Sequence, residues 1–208
     1  CLRAEHSGND SGIDTTHNAG IDQLLIKSAR HVLDCSGNVC NCAGENDFKL
    51  MMRLRNAGPD ERKFMRQIFV SVDITAPLYW WKEFDTYKVG TVANSCSTMH
   101  KIHAKEFSLD DFSYEHLSEF SKAMLERIIV VLNAYRTSFL VDKCKDDWWQ
   151  LIQLLPTSYN QRRTVLLNYQ VLKSMYHARK HHKLDEWREF CRFIEGLPHS
   201  ELITSGRE

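Results

Sequence analysis

The chain has 208 residues, 43% of them hydrophobic, which is enough for a domain with a proper core and argues against intrinsic disorder. Lysine plus arginine and aspartate plus glutamate both number 27, so no global basic field draws the protein to a nucleic-acid polymer or an anionic membrane. The apolar runs are far shorter than the roughly 20 residues that a bilayer span needs. We therefore expect a cytoplasmic protein that binds any anion through a local cluster.

The seven cysteines are scattered and odd in number, which argues against a secreted disulfide framework and favours reduced thiols. Cys35, Cys40 and Cys42, with His31 nearby, could hold a metal ion. They lack paired C-x-x-C spacing and a second pair of ligands. We interpret this segment as a loop with incidental thiols and predict no metal site.

Residues 1–22 are polar and lack an apolar period, which predicts a flexible N-terminal segment ahead of a single domain over residues 23–208. Within the domain, the pattern predicts a short amphipathic helix over residues 21–33, a loop over 35–46 and a helix over 47–56.

Residues 67–77 alternate between apolar and polar side chains, with the period of a β-strand. The aromatic and charged residues 79–86 suit a helix lying over the sheet. The small and polar residues 89–98 are expected to form a loop.

A long amphipathic helix is predicted over residues 113–140, because apolar residues recur there at steps of three and four. Such a stripe is typical of core or subunit packing. The stripe consists of Leu117, Phe120, Met124, Ile128, Val131 and Tyr135. A short apolar run at 148–155 and helices over 160–181 and 185–195 complete the prediction.

Asn168 and Arg179 indicate a binding site within the predicted helix 160–181, since their spacing places both on one helical face. An amide and a guanidinium on an apolar stripe are costly to bury without a partner, and a planar anionic or amide-bearing ligand would satisfy both. A salt bridge between Arg179 and Asp185 or Glu186 explains the pattern equally well.

Three other segments could bind phosphate. Arg162 and Arg163 open the same predicted helix, although paired arginines are also commonly solvated. The basic end of that helix, which includes His182, suits a diphosphate but also complements the helix dipole. The third segment contains Asn94, Ser95, Cys96 and Ser97. It offers backbone N–H groups, hydroxyls and one thiol as phosphate donors, and its cysteine is a less favoured candidate nucleophile.

Taken together, these segments resemble the flavin-dependent thymidylate synthases, in which FAD and methylenetetrahydrofolate convert dUMP to dTMP. The C-terminal match joins Leu155-Pro156, Asn168, Arg179 and Glu186-Trp187 at the family's spacing, with a one-residue insertion before Trp187. A second match runs from Ala76-Pro77 through Lys82-Glu83-Phe84 to the segment 94–97.

The resemblance implies an α+β fold, with a central, mostly antiparallel sheet flanked by long helices as in thymidylate synthase-complementing proteins. It also implies a homotetramer with active sites between subunits, and FAD with methylenetetrahydrofolate and NADPH as cofactors. The nucleotide would be bound by Asn94, Ser95, Cys96, Ser97, Glu83, Arg162 and Arg179. The flavin would be contacted by Lys88, Asn168, Gln170 and His182.

The chain departs from the family's motifs at several positions, including Glu186 in place of a glutamine, and two of the departures bear directly on ligand binding. Tyr87-Lys88-Val89 stands where the family has Arg-His-Arg, and Ile152 replaces an arginine that meets the uracil ring. Either the ligand differs or another donor substitutes, such as Gln150, Gln153 or Gln170. A non-catalytic protein that binds or sequesters a nucleotide on the same fold is the alternative function, because a fold does not fix an activity.

Overall fold

The computed structural model of the chain describes residues 25–27, 43–95 and 98–206. The predicted N-terminal segment 1–22 and the cysteine loop with Cys35, Cys40 and Cys42 lie outside these residues. None of the helices within the described ranges is long and apolar enough to cross a membrane.

A four-stranded antiparallel sheet forms the centre of the described part of the chain, in the order β1-β2-β4-β3. The central strands β2 and β4 form a long antiparallel pair. Their pairing extends from Phe69 opposite Asn168 to Pro77 opposite Asn160. The strands are β1 (Leu25–Lys27), β2 (Phe69–Pro77), β3 (Val92–Ser95) and β4 (Asn160–Asn168). The antiparallel sheet with prominent helices confirms the predicted α+β class.

The helices occupy the segments between and after the strands. The helices that precede β4 along the chain are α1 (Glu45–Ala57), α2 (Leu78–Phe84), α3 (Thr98–Lys101), α4 (Glu119–Asp142) and α5 (Lys145–Leu154). After β4 come α6 (Tyr169–Arg179), α7 (Asp185–Glu195) and α8 (Glu201–Thr204). A 3-10 helix, Glu61–Gln67, joins α1 to β2.

The main core joins buried residues of β2 and β4 to the aromatic residues of α2 and α7. The Trp80 ring centroid lies 4.8 Å from that of Trp187 and 5.8 Å from that of Phe190. Such close ring packing contributes beyond the area it buries. The predicted strand 67–77 and the predicted helices 79–86 and 185–195 are confirmed here, because their apolar faces form this core.

A second, smaller core lies between α4 and α5, around Leu125, Ile129, Leu132 and Leu151. It confirms the long helix, although the helix begins at Glu119 and not at residue 113, and it corrects the face that the sequence pattern assigned to the helix. The predicted stripe is displaced by one residue, and its members Phe120, Met124 and Val131 are 78%, 42% and 41% exposed. Residues 128–132 are apolar all round the helix, so periodicity alone could not select the packed face.

The predicted helix 160–181 is wrong over its first half, which is β4. The reason is non-local, because β4 pairs with β2 on one side and β3 on the other. The predicted loop 89–98 likewise contains β3, which owes its extended form to pairing with β4. The predicted helix 21–33 is wrong at Leu25–Lys27, which form β1 against β2.

Two smaller boundaries also differ from the sequence pattern. Helix α1 begins at Glu45, inside the predicted loop 35–46. The apolar run 148–155 belongs to α5, a helix that begins at Lys145 and ends before Pro156.

Candidate functional site

A cavity of about 420 Å³ lies where the segment after α2 meets the start of α6. Its volume falls within the roughly 300–1,000 Å³ that is usual for small-molecule sites. Lys88, Asn168 and Gln170, three residues that the sequence nominated for cofactor binding, all line its wall. The β3–β4 pairing, with Val92 opposite Leu166, places the end of β4, and hence the start of α6, beside this segment.

Asn168 holds the start of α6 in place. It is 7% exposed, and its side-chain Oδ1 accepts a hydrogen bond from the backbone N–H of Val171 at 3.0 Å. Asparagine is favoured at this capping position because it satisfies an N–H that the helix leaves unpaired. The prediction that Asn168 and Arg179 lie on one face of a single helix is therefore corrected, because Asn168 ends a strand and caps the helix.

Gly90 allows the cavity wall to approach Asn168 closely. Its φ is +83°, a left-handed conformation that favours glycine. A Cβ at this position would lie 2.7 Å from Asn168 Nδ2. The same Nδ2 makes a long contact, at 3.5 Å, with the Gly90 carbonyl oxygen.

Gln170 presents an unsatisfied acceptor. Its Oε1 atom is buried and has no hydrogen-bond partner. Leaving a buried acceptor unpaired costs about 1–3 kcal/mol. Gln170 is also a residue of the cavity wall, so a rotation of its amide toward the cavity would let a ligand N–H remove this cost.

Lys88 and Arg66 supply positive charge to the cavity wall. Both are exposed, and neither forms an ion pair with another residue in the described ranges. Arginine and lysine side chains of this kind suit phosphate oxygens. The sequence reasoning missed Arg66, because only the pairing of Phe69 with Asn168 brings the residues before β2 to the start of α6.

Arg179 lies outside the residues that line this cavity, in an ion pair between helices. Its Nη1 is 2.7 Å from Glu83 Oε2, and its Nε donates to the Tyr87 hydroxyl at 2.9 Å. The guanidinium also stacks over the Trp187 ring at 4.8 Å from the centroid. The salt-bridge explanation thus describes Arg179 in this structure, with Glu83 as the partner in place of Asp185 or Glu186.

Glu83 is the centre of this polar network. Besides Arg179, its Oε2 accepts from Trp187 Nε1 at 3.1 Å and lies 3.4 Å from His182 Nε2. Tyr87 connects the network to the cavity, because it lines the wall and receives the Arg179 hydrogen bond. Glu83, Arg179 and His182 are therefore neighbours of the cavity and act on its wall through Tyr87.

The remaining nominated residues that the structure describes lie on the sheet. Asn94 of β3 is opposite Thr164 of β4, and Ser95 is opposite Arg163. Arg162 pairs with Asp73 at 2.5 Å across the two central strands. These residues are not among those that line the cavity, and Cys96 and Ser97 fall in the two-residue gap of the described chain.

Comparison with known proteins identifies the fold. No protein-family model matches the chain. No curated protein matches it either. Among solved structures, it is similar to thymidylate synthase X (ThyX) from Helicobacter pylori with FAD and dUMP, with a TM-score of 0.61 and 15% identity.

A second structure of the flavin-dependent thymidylate synthase ThyX from the same organism, complexed with FAD and dUMP, gives a TM-score of 0.58 and 17% identity. Each match covers 77% of this chain and 83% of the other. The chain shares the fold of these flavin-dependent thymidylate synthases.

Proposed function

We propose that the protein is a divergent flavin-dependent thymidylate synthase-like enzyme that acts on a pyrimidine deoxynucleotide, converting dUMP to dTMP or making a related change at C5. The observation that carries the proposal is the meeting of Lys88, Asn168 and Gln170 in one cavity wall. The fold adds support, because it is the fold of proteins solved with FAD and dUMP.

The residues of the wall fit part of a flavin nucleotide. The unpaired Oε1 of Gln170 suits the imide N–H of a flavin or uracil ring, and Lys88 with Arg66 suits phosphate oxygens. Asn168 is fixed by its capping bond, so its Nδ2 is a preoriented donor. When bound, the flavin supplies hydride chemistry, and methylenetetrahydrofolate and NADPH would complete the reaction.

The chain's own residues would orient the ligands and shape the cavity. Tyr87 is held by Arg179, which is itself held by Glu83 and Trp187. Orientation of this kind can supply a large share of a catalytic effect without a protein nucleophile. Glu83, Arg179 and His182 therefore enter the proposal as residues that position Tyr87 and can reach a nucleotide at the cavity edge.

Flavin binding tests the proposal directly. Purified protein should show flavin absorbance or take up added FAD in a fluorescence-quenching titration. Lys88→Met should weaken FAD binding about 3-fold to 10-fold, whereas Lys82→Met, an exposed lysine of α2, should not. The assay for dUMP turnover measures release of the C5 proton. A protein that binds neither flavin nor dUMP would contradict the proposal.

A non-catalytic nucleotide-binding or sequestering protein is the second candidate. The Arg179 charge is already neutralised by Glu83, and Ile152 packs against the second core. Position 179 is therefore engaged in an ion pair within the protein, and position 152 lacks the arginine that the resemblance would assign to nucleotide recognition. Thermal stabilisation by dUMP in colourless protein that takes up no FAD would favour this candidate.

We also propose a homo-oligomer, a tetramer by resemblance, that packs through the exposed face of α4. Phe120 and Val130 are 78% and 69% exposed on that face, which is costly for an isolated chain in water. Val130→Glu should lower the mass measured by light scattering after gel filtration. Leu50→Glu, which changes an exposed leucine of α1, should leave that mass unchanged.

A further inference from the structure

The cavity beside the start of α6 has an unbalanced positive charge. Arg66 and Lys88 both line it, and no aspartate or glutamate in the described part of the chain does so. Neither cation has an ion-pair partner among the described residues. The neighbouring Glu83 does not offset this charge, because its carboxylate is paired with Arg179 at 2.7 Å. The wall therefore favours a ligand that carries negative charge.

The sheet brings the two cations to one place from opposite sides. Strand β4 lies between β2 and β3. Arg66 precedes β2, whose first residue, Phe69, is opposite Asn168 at the end of β4. Lys88 precedes β3, and the carbonyl oxygen of Gly90 lies 3.5 Å from Asn168 Nδ2. Both cations therefore flank the end of β4 and reach the same cavity.

Helix α6 adds to the positive potential of the cavity. Asn168, Gln170 and Val171 line the wall, so the cavity lies at the N-terminal end of this helix of 11 residues. That end of a helix carries partial positive charge and N–H groups that the helix itself leaves unpaired. A phosphate monoester carries about 1.5 to 2 negative charges at neutral pH, whereas a carboxylate carries one. The phosphate ester matches two cations and a helix N-terminus better.

We propose that the cavity selects its ligand by a phosphate ester and that Arg66 is the residue that determines this selection. The planar guanidinium can donate two N–H groups to two phosphate oxygens. The amides of Asn168 and Gln170 line the same cavity and suit the ring of the ligand. This inference rests on the proposed function and deepens it, because it names the chemical group that the site requires.

Two pairs of probes differ only in a phosphate group: FMN with riboflavin, and dUMP with deoxyuridine. Calorimetry measures the affinity of all four for the flavin-free full chain, as the natural protein and as Arg66→Met, Arg66→Lys and Lys63→Met. Arg66 is exposed and has no ion-pair partner in the described chain, so its substitution should leave the fold intact. Lys63→Met is the matched control, because it removes another exposed cation of the same 3-10 helix that does not line the cavity.

The natural protein should bind the phosphorylated member of a pair about 10-fold more tightly than the other member. Arg66→Met should reduce that ratio about 3-fold to 10-fold, and only by weakening the phosphorylated member. Arg66→Lys should keep part of the preference, since it keeps the charge, and Lys63→Met should keep all of it. Added salt should weaken binding of the phosphorylated member more than that of its partner.

Equal affinity for both members of each pair would overturn the inference and leave the proposed function standing. A protein that binds none of the four probes would overturn both. The inference also fails if Arg66→Met weakens both members equally, because Arg66 would then only shape the cavity. An equal loss in Lys63→Met would likewise overturn it, since that result indicates a general electrostatic effect.

Discussion

Arg179 and Glu83 form an ion pair between α6 and α2, with Nη1 and Oε2 2.7 Å apart and with 20% and 36% of the side chains exposed. The same carboxylate oxygen accepts the Trp187 indole N–H of α7 at 3.1 Å. One carboxylate therefore ties three helices together beside the cavity. Its removal should affect both stability and the position of Tyr87.

Glu83→Gln should lower the free energy of unfolding by about 1–2 kcal/mol, because it removes the charge that Arg179 and Trp187 share while solvent screens part of the loss. Urea unfolding measures the change. Asp60→Asn breaks the Lys63–Asp60 pair, whose side chains are 62% and 85% exposed, and should change stability by less than about 0.5 kcal/mol. Equal effects of the two substitutions would contradict a special role for Glu83.

Gln170→Leu should leave the free protein at least as stable as the natural one, because it replaces an unpaired buried acceptor with an apolar side chain. The same change should weaken binding of FAD or dUMP about 3-fold to 10-fold through loss of one hydrogen bond. Thermal unfolding and ligand titration measure the two effects. Gln153, which the sequence also offered as a donor, is exposed on α5 and is not among the residues that line the cavity, so Gln153→Leu should leave both ligand affinities unchanged.

Gly90→Ala should destabilise the protein by about 1–2 kcal/mol, since an alanine at φ +83° is strained and its Cβ would crowd Asn168 Nδ2 at 2.7 Å. Gly196→Ala is the control, because Gly196 has φ −82° and its nearest Cβ contact would be an ordinary 3.5 Å. Urea unfolding should separate the two variants. A Gly90→Ala protein as stable as Gly196→Ala would refute the close approach to Asn168.

His177 should make the protein less stable in mild acid. Burial, and then the charge of Lys173, hold the pKa of native His177 below its ordinary value, whereas the unfolded chain titrates near about 6.5. As the pH falls below about 6.5, the unfolded state takes up a proton that the native state refuses, so the free energy of unfolding decreases down to the native pKa.

His177→Gln should flatten this pH dependence, because glutamine keeps a donor for the Ile203 carbonyl but does not titrate. Urea unfolding between about pH 5 and 7.5 measures the slope. His181→Gln, at an exposed position just after α6, should retain the slope of the natural protein. A His177→Gln slope equal to that of His181→Gln would assign the acid sensitivity to other groups.

The cavity wall was only partly accessible to sequence reasoning. Lys88, Asn168 and Gln170 were nominated from a resemblance, and they lie together. Their proximity depends on the antiparallel register of β3 and β4, which no local pattern encodes. Arg66 was missed for a similar reason, because only the pairing of β2 with β4 brings it near the start of α6. A capping signal was present for Asn168, since asparagine is a preferred residue at the start of a helix.

The sequence by itself determined the elements whose local period matches their environment: β2, with alternating buried residues, and α2 and α7, whose aromatic faces fill the main core. Only the tertiary structure decided that residues 160–168 are a strand, which face of α4 is buried, and that Arg179 meets Glu83. The physical reason is that periodicity records which side chains avoid water. Strand pairing, the choice between two apolar helix faces and ion-pair partners depend on residues far apart along the chain.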